Sequence, residues 1–440
     1  MSVRTFLEKA AQSGDLIEIE KEVDVNFELA NVANALSGKT VLFNKIKEYP
    51  DWRIVSGMCA DRRFFSMDLD VPLAELTTHL TNALANPILP PVVEEAPCQE
   101  VVLREFDLNS LPILLHLAED AGHYIASNVV ITRDPDFGRN MCYHRLLRLG
   151  KTHFSARIIE RRGTHTALQK TDGDLPIAIC IGVSQAVHLA ASMSPPPEID
   201  ELSVANALAP TPLVNCLSND LQVPADAEIV LEGRITARMA AEGPFMDLTE
   251  TMDMVRQQPI IEIDLITHRR NPIFHALLPG GLEHKLLMGM PREPTILAAV
   301  NEVTSCTGAI ITPGGASWLH AVVQIEADGK EDGRLAIAAA FRGHKSLKHV
   351  WVVDGDVDIY NPADVEWAVA TRFQADKDLI IYEDQPGSSL DPSGQHEAGK
   401  KSRTTKAGFD CTIPWGADKN KFERGAYGDV DLDEYIVEKK

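Results

Sequence analysis

Apolar positions recur at helical and strand spacing by turns over the first hundred residues. Residues 5–13 place apolar side chains at helical intervals, residues 16–20 alternate apolar with acidic positions, and a second helix is predicted from about Asn26 to Leu36. Residues 41–43 and 52–56 read as strands and 72–86 as a helix, so the opening is an α+β segment. Pro87-Ile-Leu-Pro-Pro-Val-Val then interrupts the pattern and marks a boundary.

From about Glu100 the pattern shortens. Strands are predicted at 129–132, 144–149, 153–160, 177–182, 228–232 and 260–266, separated by turn residues, with helices at 166–171 and 187–192. That is the pattern of a β-barrel or sandwich core. Ser194-Pro-Pro-Pro197 is a rigid loop, and 198–208 a short helix. Beyond Pro291, helices at 294–304, 335–342 and 363–371 alternate with strands at 318–325, 349–353 and 379–382, as in an α/β domain. The stretch after Glu383 reads as loop, with a last helix at 432–438. The expected units are an N-terminal α+β domain (1–99), a central β-barrel domain (100–293) and a C-terminal α/β domain with its tail (294–440). A tail with so little core of its own suggests packing on a partner subunit.

The chain's 45% apolar and 24% charged content suit a globular protein, and 440 residues are enough for two or three domains. A net charge of −22 argues against nucleic acid or an anionic membrane as partner. It leaves room for an anionic small substrate held by local arginines. Seven scattered cysteines without a C-x-x-C pair suit free thiols in a cytoplasmic protein, and no apolar run reaches the length of a membrane span.

The sharpest chemical signal is Glu242-Gly-Pro-Phe-Met-Asp247: two carboxylates on a turn that glycine and proline keep out of helix. Paired acids of this kind can orient a partner and move a proton, although the same hexapeptide also fits a solvent-facing turn. Asn140-Met-Cys-Tyr-His-Arg145, followed by His165, offers that partner. By residue type alone, Arg145 also fits a structural ion pair, His165 a helix cap and Glu201 a first-turn acid. Asp354-Gly-Asp-Val-Asp resembles a calcium loop but lacks its glycine and closing acid, and Asn361-Pro362 reads as a helix start. No dinucleotide, Walker, G-x-S-x-G or H-E-x-x-H motif is present.

Taken together, several stretches resemble the UbiD family, reversible decarboxylases that use prenylated flavin mononucleotide. They are Asn140 to Arg145, His165, Ser192-Met-Ser-Pro-Pro-Pro-Glu198 with Glu201, Asn215-Cys-Leu-Ser-Asn-Asp-Leu221, Glu242 to Asp247, and Lys406-Ala-Gly-Phe-Asp410. The resemblance implies a split β-barrel flavin domain, an α+β N-terminal domain and a C-terminal α/β domain that makes homodimer or homohexamer contacts. It assigns Arg145, Glu242 and Asp247 to an acid–arginine–acid catalytic network. It makes Asn140, His165 and Glu201 the ligands of a manganese ion that holds the flavin phosphate alongside potassium, with Lys406 near that phosphate. Tyr143, His144, Arg145, Ser192, Met193 and Ser194 fall on the cofactor-binding stretches. A flavin prenyltransferase is the implied cofactor supplier. Two departures stand out: Ala205-Asn206 replaces the usual alanine–glycine pair, and Leu217 stands where many relatives have glutamate. Glu198 and Asp220 are further carboxylates that could compete with Glu201 for the metal.

The substrate is then a small carboxylic acid. His284 and Arg292 lie between barrel and C-terminal domain and could hold a second anionic group. This segment resembles the furan-2,5-dicarboxylate decarboxylase branch, which is the expected activity. The alternatives are a phosphorylated unsaturated acid of the anhydromevalonate phosphate type, or a flavin-binding protein without chemistry.

Overall fold

Ser2 caps the helix Val3–Ser13 reciprocally with Thr5, so the chain begins with a fixed helical start. One face of that helix buries Val3, Phe6, Leu7 and Ala10, with Phe6 edge-on to Phe64. Phe64 belongs to Arg62–Leu69, a helix too short and too charged for apolar spacing to have announced it. The computed structural model describes residues 1–430 apart from 398–399, 426 and 429; the helix expected at 432–438 lies outside the described residues.

Leu16–Ile19, Thr40–Phe43 and Arg53–Ser56 form a sheet whose fourth strand, Ile273–His275, comes from beyond the barrel. The N-terminal and central parts are therefore joined through a shared sheet. A buried pair between Arg62 and Glu293, at 2.8 and 2.7 Å, ties the same region to the helix Glu293–Asn301.

The central unit is a nine-stranded antiparallel sheet, running from Tyr124–Ile125 at one end of its strand order to Gly138–Tyr143 at the other. Those two end strands do not pair, so the barrel is split rather than closed. Its long members, Ile229–Glu242 and Arg256–His268, extend well past the predicted 228–232 and 260–266, because their outer halves are polar and carry no strand signal. Two other predicted strands shrink, to Leu146–Arg148 and His153–Ala156, leaving Arg145 in a bend between strands. The helices Gly163–Lys170, Gln185–Met193 and Glu201–Leu208 flank the sheet. Asn206 holds the last of these in place, donating to Ile88 O and accepting from Thr211 N. Leu217 and Ser218 give their backbone amides to the buried Glu232.

The C-terminal sheet has the order Ser305–Ile311, His320–Glu326, His349–Asp354, Arg403–Asp410, Leu379–Pro386. Arg403–Asp410 corrects the loop expected after Glu383: it is an interior strand, and it carries Lys406. Its small residues hid it, since Gly408 lies so close to Ile337 of the helix Asp332–Gly343 that a Cβ has no room. Arg372 bridges Asp354 and Asp356, so the calcium-like run serves an ion pair, and Asn361 caps Pro362–Arg372.

Candidate active site

Glu242 ends its long strand fully buried, and Gly243 turns the chain at φ +90°, against Met254 O where a side chain would not fit. The turn leads into Phe245–Met246, which pairs with Met252–Asp253, setting Phe245 opposite Asp253. This small hairpin brings its acids to the bend that holds Arg145.

Arg145 donates to both oxygens of Glu242, from Nε at 2.8 Å and Nη2 at 3.0 Å. Nη2 also donates to Asp253 at 2.8 Å, and Nη1 to Asp247 at a longer 3.3 Å. The guanidinium carbon lies 5.2 Å from the Phe245 ring centre. Tyr124 donates to Glu242 at 3.2 Å and accepts from Gly243 N, pinning the turn to the edge of the barrel. Burial works against the charge of Arg145, but the hydrogen bonds and charge of Glu242, then Asp247 and Asp253, outweigh it and raise its pKa. Asp253 also pairs with Arg256 at 2.5 Å and lies 3.9 Å from Arg157. The cluster thus balances three acids with three arginines. The sequence reading missed Asp253; its Asp253-Met-Val-Arg256 spacing resembles any surface pair.

His284, on the helix Leu282–Gly289, accepts from Gly280 N at Nδ1, which leaves its proton on Nε2. Burial lowers its pKa; Asp247 opposes that shift and Arg145 adds to it, so the ring lies within the field of the acid–arginine cluster. Arg292 lies eight residues on, roughly 12 Å along the helical arm at 1.5 Å per residue. It donates to Met193 O and Ser194 Oγ, both at 2.7 Å, faces the Trp318 ring, and keeps a buried Nε without a partner. The structure therefore puts His284 with Asp247 and Arg145, and Arg292 with Met193 and Ser194. Burial, then Arg162, brings the Arg292 pKa down to about 10, and burial brings Lys406 to about 8. Lys406 donates to Lys345 O, and its charge and that of Arg292 both reach His344. Among the described residues, neither pairs with a carboxylate.

Asn140 lies on the strand Gly138–Tyr143, against Gly163, where a Cβ has no room; Gly163 opens the helix that carries His165. Glu201, 8% exposed, accepts from Met141 N at 3.0 Å, and burial raises its pKa to about 7. The rival acids lie elsewhere: Glu198 is exposed, and Asp220 pairs with Arg133 at 2.9 Å. An amide oxygen, an imidazole and a buried carboxylate that makes no ion pair among the described residues are donor types that suit manganese or magnesium. The other predicted cofactor residues are turned inward. His144 is buried, its ring nitrogens engaged by Arg157 O and Thr164, and burial lowers its pKa to about 4. The Tyr143 hydroxyl meets His188, and Ser192 donates to carbonyls within its own helix.

Among the described residues, no helix is long and apolar enough to cross a membrane. The chain matches the 3-octaprenyl-4-hydroxybenzoate carboxy-lyase N-terminal domain over residues 7–84, the Rift-related domain over 91–282 and the C-terminal domain over 285–411. It is 39% identical to anhydromevalonate phosphate decarboxylase of Methanothermobacter thermautotrophicus, over 96% of this chain and 99% of that protein. The UbiD-class enzyme HmfF of Pelotomaculum thermopropionicum, solved with FMN, superposes with a TM-score of 0.94 at 37% identity, covering 99% and 100% of the two chains. An evolved dimeric form of that enzyme, solved with prFMN, gives 0.90 at 35% identity over 99% and 100%. Three consecutive domain matches over one continuous fold make the conclusion plain: the chain belongs to the UbiD family of carboxy-lyases.

Proposed function

We propose that the chain decarboxylates a phosphorylated α,β-unsaturated acid, the class to which the substrate named for the M. thermautotrophicus relative belongs, and that it uses prenylated FMN. The observation that carries this reading is how the Arg145 donors are shared out. Glu242 and Asp253 take Nε and both Nη2 protons, while Nη1 has only the long contact to Asp247. A substrate carboxylate docking on Nη1 displaces Asp247, which is then free to carry the proton that the product needs. Glu242 keeps the guanidinium plane fixed throughout. Prenylated FMN, when bound, supplies the electron sink for the breaking carbon–carboxylate bond, which no side chain offers. Asn140, His165 and Glu201 are the residues that would hold a manganese ion for the flavin phosphate, with potassium as the second cation, and Lys406 would add a positive charge for that phosphate. Arg292, preset by Met193 O and Ser194, takes the second anion, with the His284 Nε2 proton toward the reacting end. The curated relative favours a phosphate as that anion over the carboxylate of furan-2,5-dicarboxylate. The furan reading keeps one support, the likeness of the segment around His284 and Arg292 to that branch.

The test is co-expression with a flavin prenyltransferase, anaerobic purification, and comparison of carbon dioxide release from a phosphorylated enoic acid, furan-2,5-dicarboxylate and an uncharged-tail enoic acid. Turnover of the phosphorylated acid is expected to be highest, and lost in Arg145→Ala and Asp247→Asn. Arg292→Leu is expected to lower kcat/KM on that acid about 10- to 100-fold, as loss of a charged hydrogen bond requires. A flavin-loaded protein that releases carbon dioxide from none of the three acids would favour a flavin-binding protein without chemistry, and a colourless, flavin-free one a cofactor-free binding protein.

A further inference from the structure

Behind the site runs a buried chain of hydrogen bonds that the reaction outlined above does not use. Glu283 Oε1 accepts from Cys59 N at 2.9 Å and meets His275 Nε2 at 2.8 Å, while Oε2 accepts from Gly57 N at 3.0 Å. His275 Nδ1 lies 3.2 Å from His188 Nε2, and His188 Nδ1 lies 2.6 Å from the Tyr143 hydroxyl. Both imidazoles are fully buried.

The two backbone amides settle which way these bonds point. An amide N–H only donates, so both Glu283 oxygens act as acceptors and His275 presents an N–H from Nε2. His275 Nδ1 is then an acceptor, so His188 donates from Nε2, and its Nδ1, 2.6 Å from the Tyr143 hydroxyl, takes that proton ahead of the His188 carbonyl oxygen at 3.0 Å. Burial holds His188 neutral and the Tyr143 phenol protonated, in keeping with one proton per link. The chain joins the two walls of the site: Tyr143 is two residues from Arg145, and Glu283 is next to His284.

We propose that Glu283 is a positioning residue for the decarboxylation, keeping the strand that leads to Arg145 and the helix that carries His284 in register through His275, His188 and Tyr143. Its role in catalysis rests on the function proposed above; its hydrogen-bond direction does not. Glu283→Gln puts an amide donor among three donors, so at least one of the bonds to Gly57 N, Cys59 N and His275 is lost.

The experiment is 15N NMR of histidine-labelled protein without flavin, with His188 and His275 assigned by substitution, alongside kinetics of the loaded enzyme. The expected result is a proton on Nε2 of both rings in the wild type, with the His275 Nε2 resonance shifted in Glu283→Gln, where a neutral amide replaces the carboxylate. That variant should lose about tenfold in kcat with KM nearly unchanged, as is usual when an orienting partner is removed. Tyr143→Phe combined with Glu283→Gln should be no slower than Glu283→Gln alone. A wild-type Nδ1 proton on either ring overturns the proposal and needs no variant to fold. A folded Glu283→Gln enzyme with full kcat overturns it too. Correct tautomers in a protein that decarboxylates none of the acids would uphold the chain's direction and remove only the functional reading.

Discussion

Asp253 lies closer to Arg145 than Asp247 does: its Oδ2 accepts from Nη2 at 2.8 Å, against 3.3 Å from Nη1 to Asp247. The tighter contact marks the acid that holds the guanidinium, and the looser one marks the acid that can leave it. Asp253→Asn keeps the shape and removes the charge. It is expected to lower kcat/KM about tenfold, as loss of an orienting partner does, without the complete loss expected of Asp247→Asn. Steady-state kinetics of the two variants side by side check this, and equal losses would erase the distinction.

Glu242 is fully buried against Arg145, which is itself only 11% exposed. Removing Glu242 takes two of the four donor contacts from this buried guanidinium and leaves Asp253 and Asp247 to hold it, so Glu242→Ala should cost about 3 kcal/mol of stability, the low end for a broken buried pair. Tyr124→Phe removes one donor from the same carboxylate and the acceptor of Gly243 N, and should cost about 2 kcal/mol. Urea midpoints for the two variants should differ in that order.

The central acids were legible because glycine and proline mark their turn, and Arg145 because its stretch resembles the family's, since an arginine beside paired acids fits a structural ion pair equally well. Asp253 was hidden since its role comes from a two-residue hairpin pairing that no period reveals. The strand Arg403–Asp410 was hidden for a different reason: its glycine and alanine fit beneath a helix, so packing rather than hydrophobicity keeps it in the sheet. Ile273–His275 has no strand expected of it in the sequence, because its pairing with Arg53–Ser56 is a contact across more than two hundred residues. Short-range patterns carried the helices well, whereas strand ends and long-range pairings depended on the fold.

Acid should destabilise the protein through its buried histidines. Burial lowers His320 to about 4, with His349 adding to the shift, lowers His116 to about 4, and lowers His344 to about 3. An unfolded histidine titrates near 6.5, so between about 6.5 and 4 the unfolded chain binds protons that the folded one refuses. Stability therefore falls as pH falls through that window. Asp68 and Glu201 work the other way, since burial raises them to about 6 and about 7 and the folded state gains their protons first. With His144 also lowered to about 4, four histidines outweigh these two acids. His320→Gln should flatten the slope between pH 6.5 and 4 by up to about 1.4 kcal/mol per pH unit. Urea unfolding at pH 5 and 7 measures it, and an unchanged slope would mean that His320 titrates alike in both states.

The proposed metal ligand Glu201 can be separated from its neighbours by burial and direction. Its carboxylate is 8% exposed and anchored by Met141 N, one residue from Asn140, while Glu198 faces solvent and Asp220 is taken by Arg133. A cation held by Asn140 and His165 would thus find Glu201 already turned inward, whereas either rival would have to give up water or an arginine. Glu201→Gln keeps the size and the Met141 contact but removes the charge that a divalent ion needs. Manganese bound after purification, read by elemental analysis, should drop with an affinity loss of about 10- to 100-fold. Glu198→Gln and Asp220→Asn should retain the wild-type manganese content. Loss of metal in Asp220→Asn alone would instead mean that the loop around Asn215 turns inward to supply the third ligand.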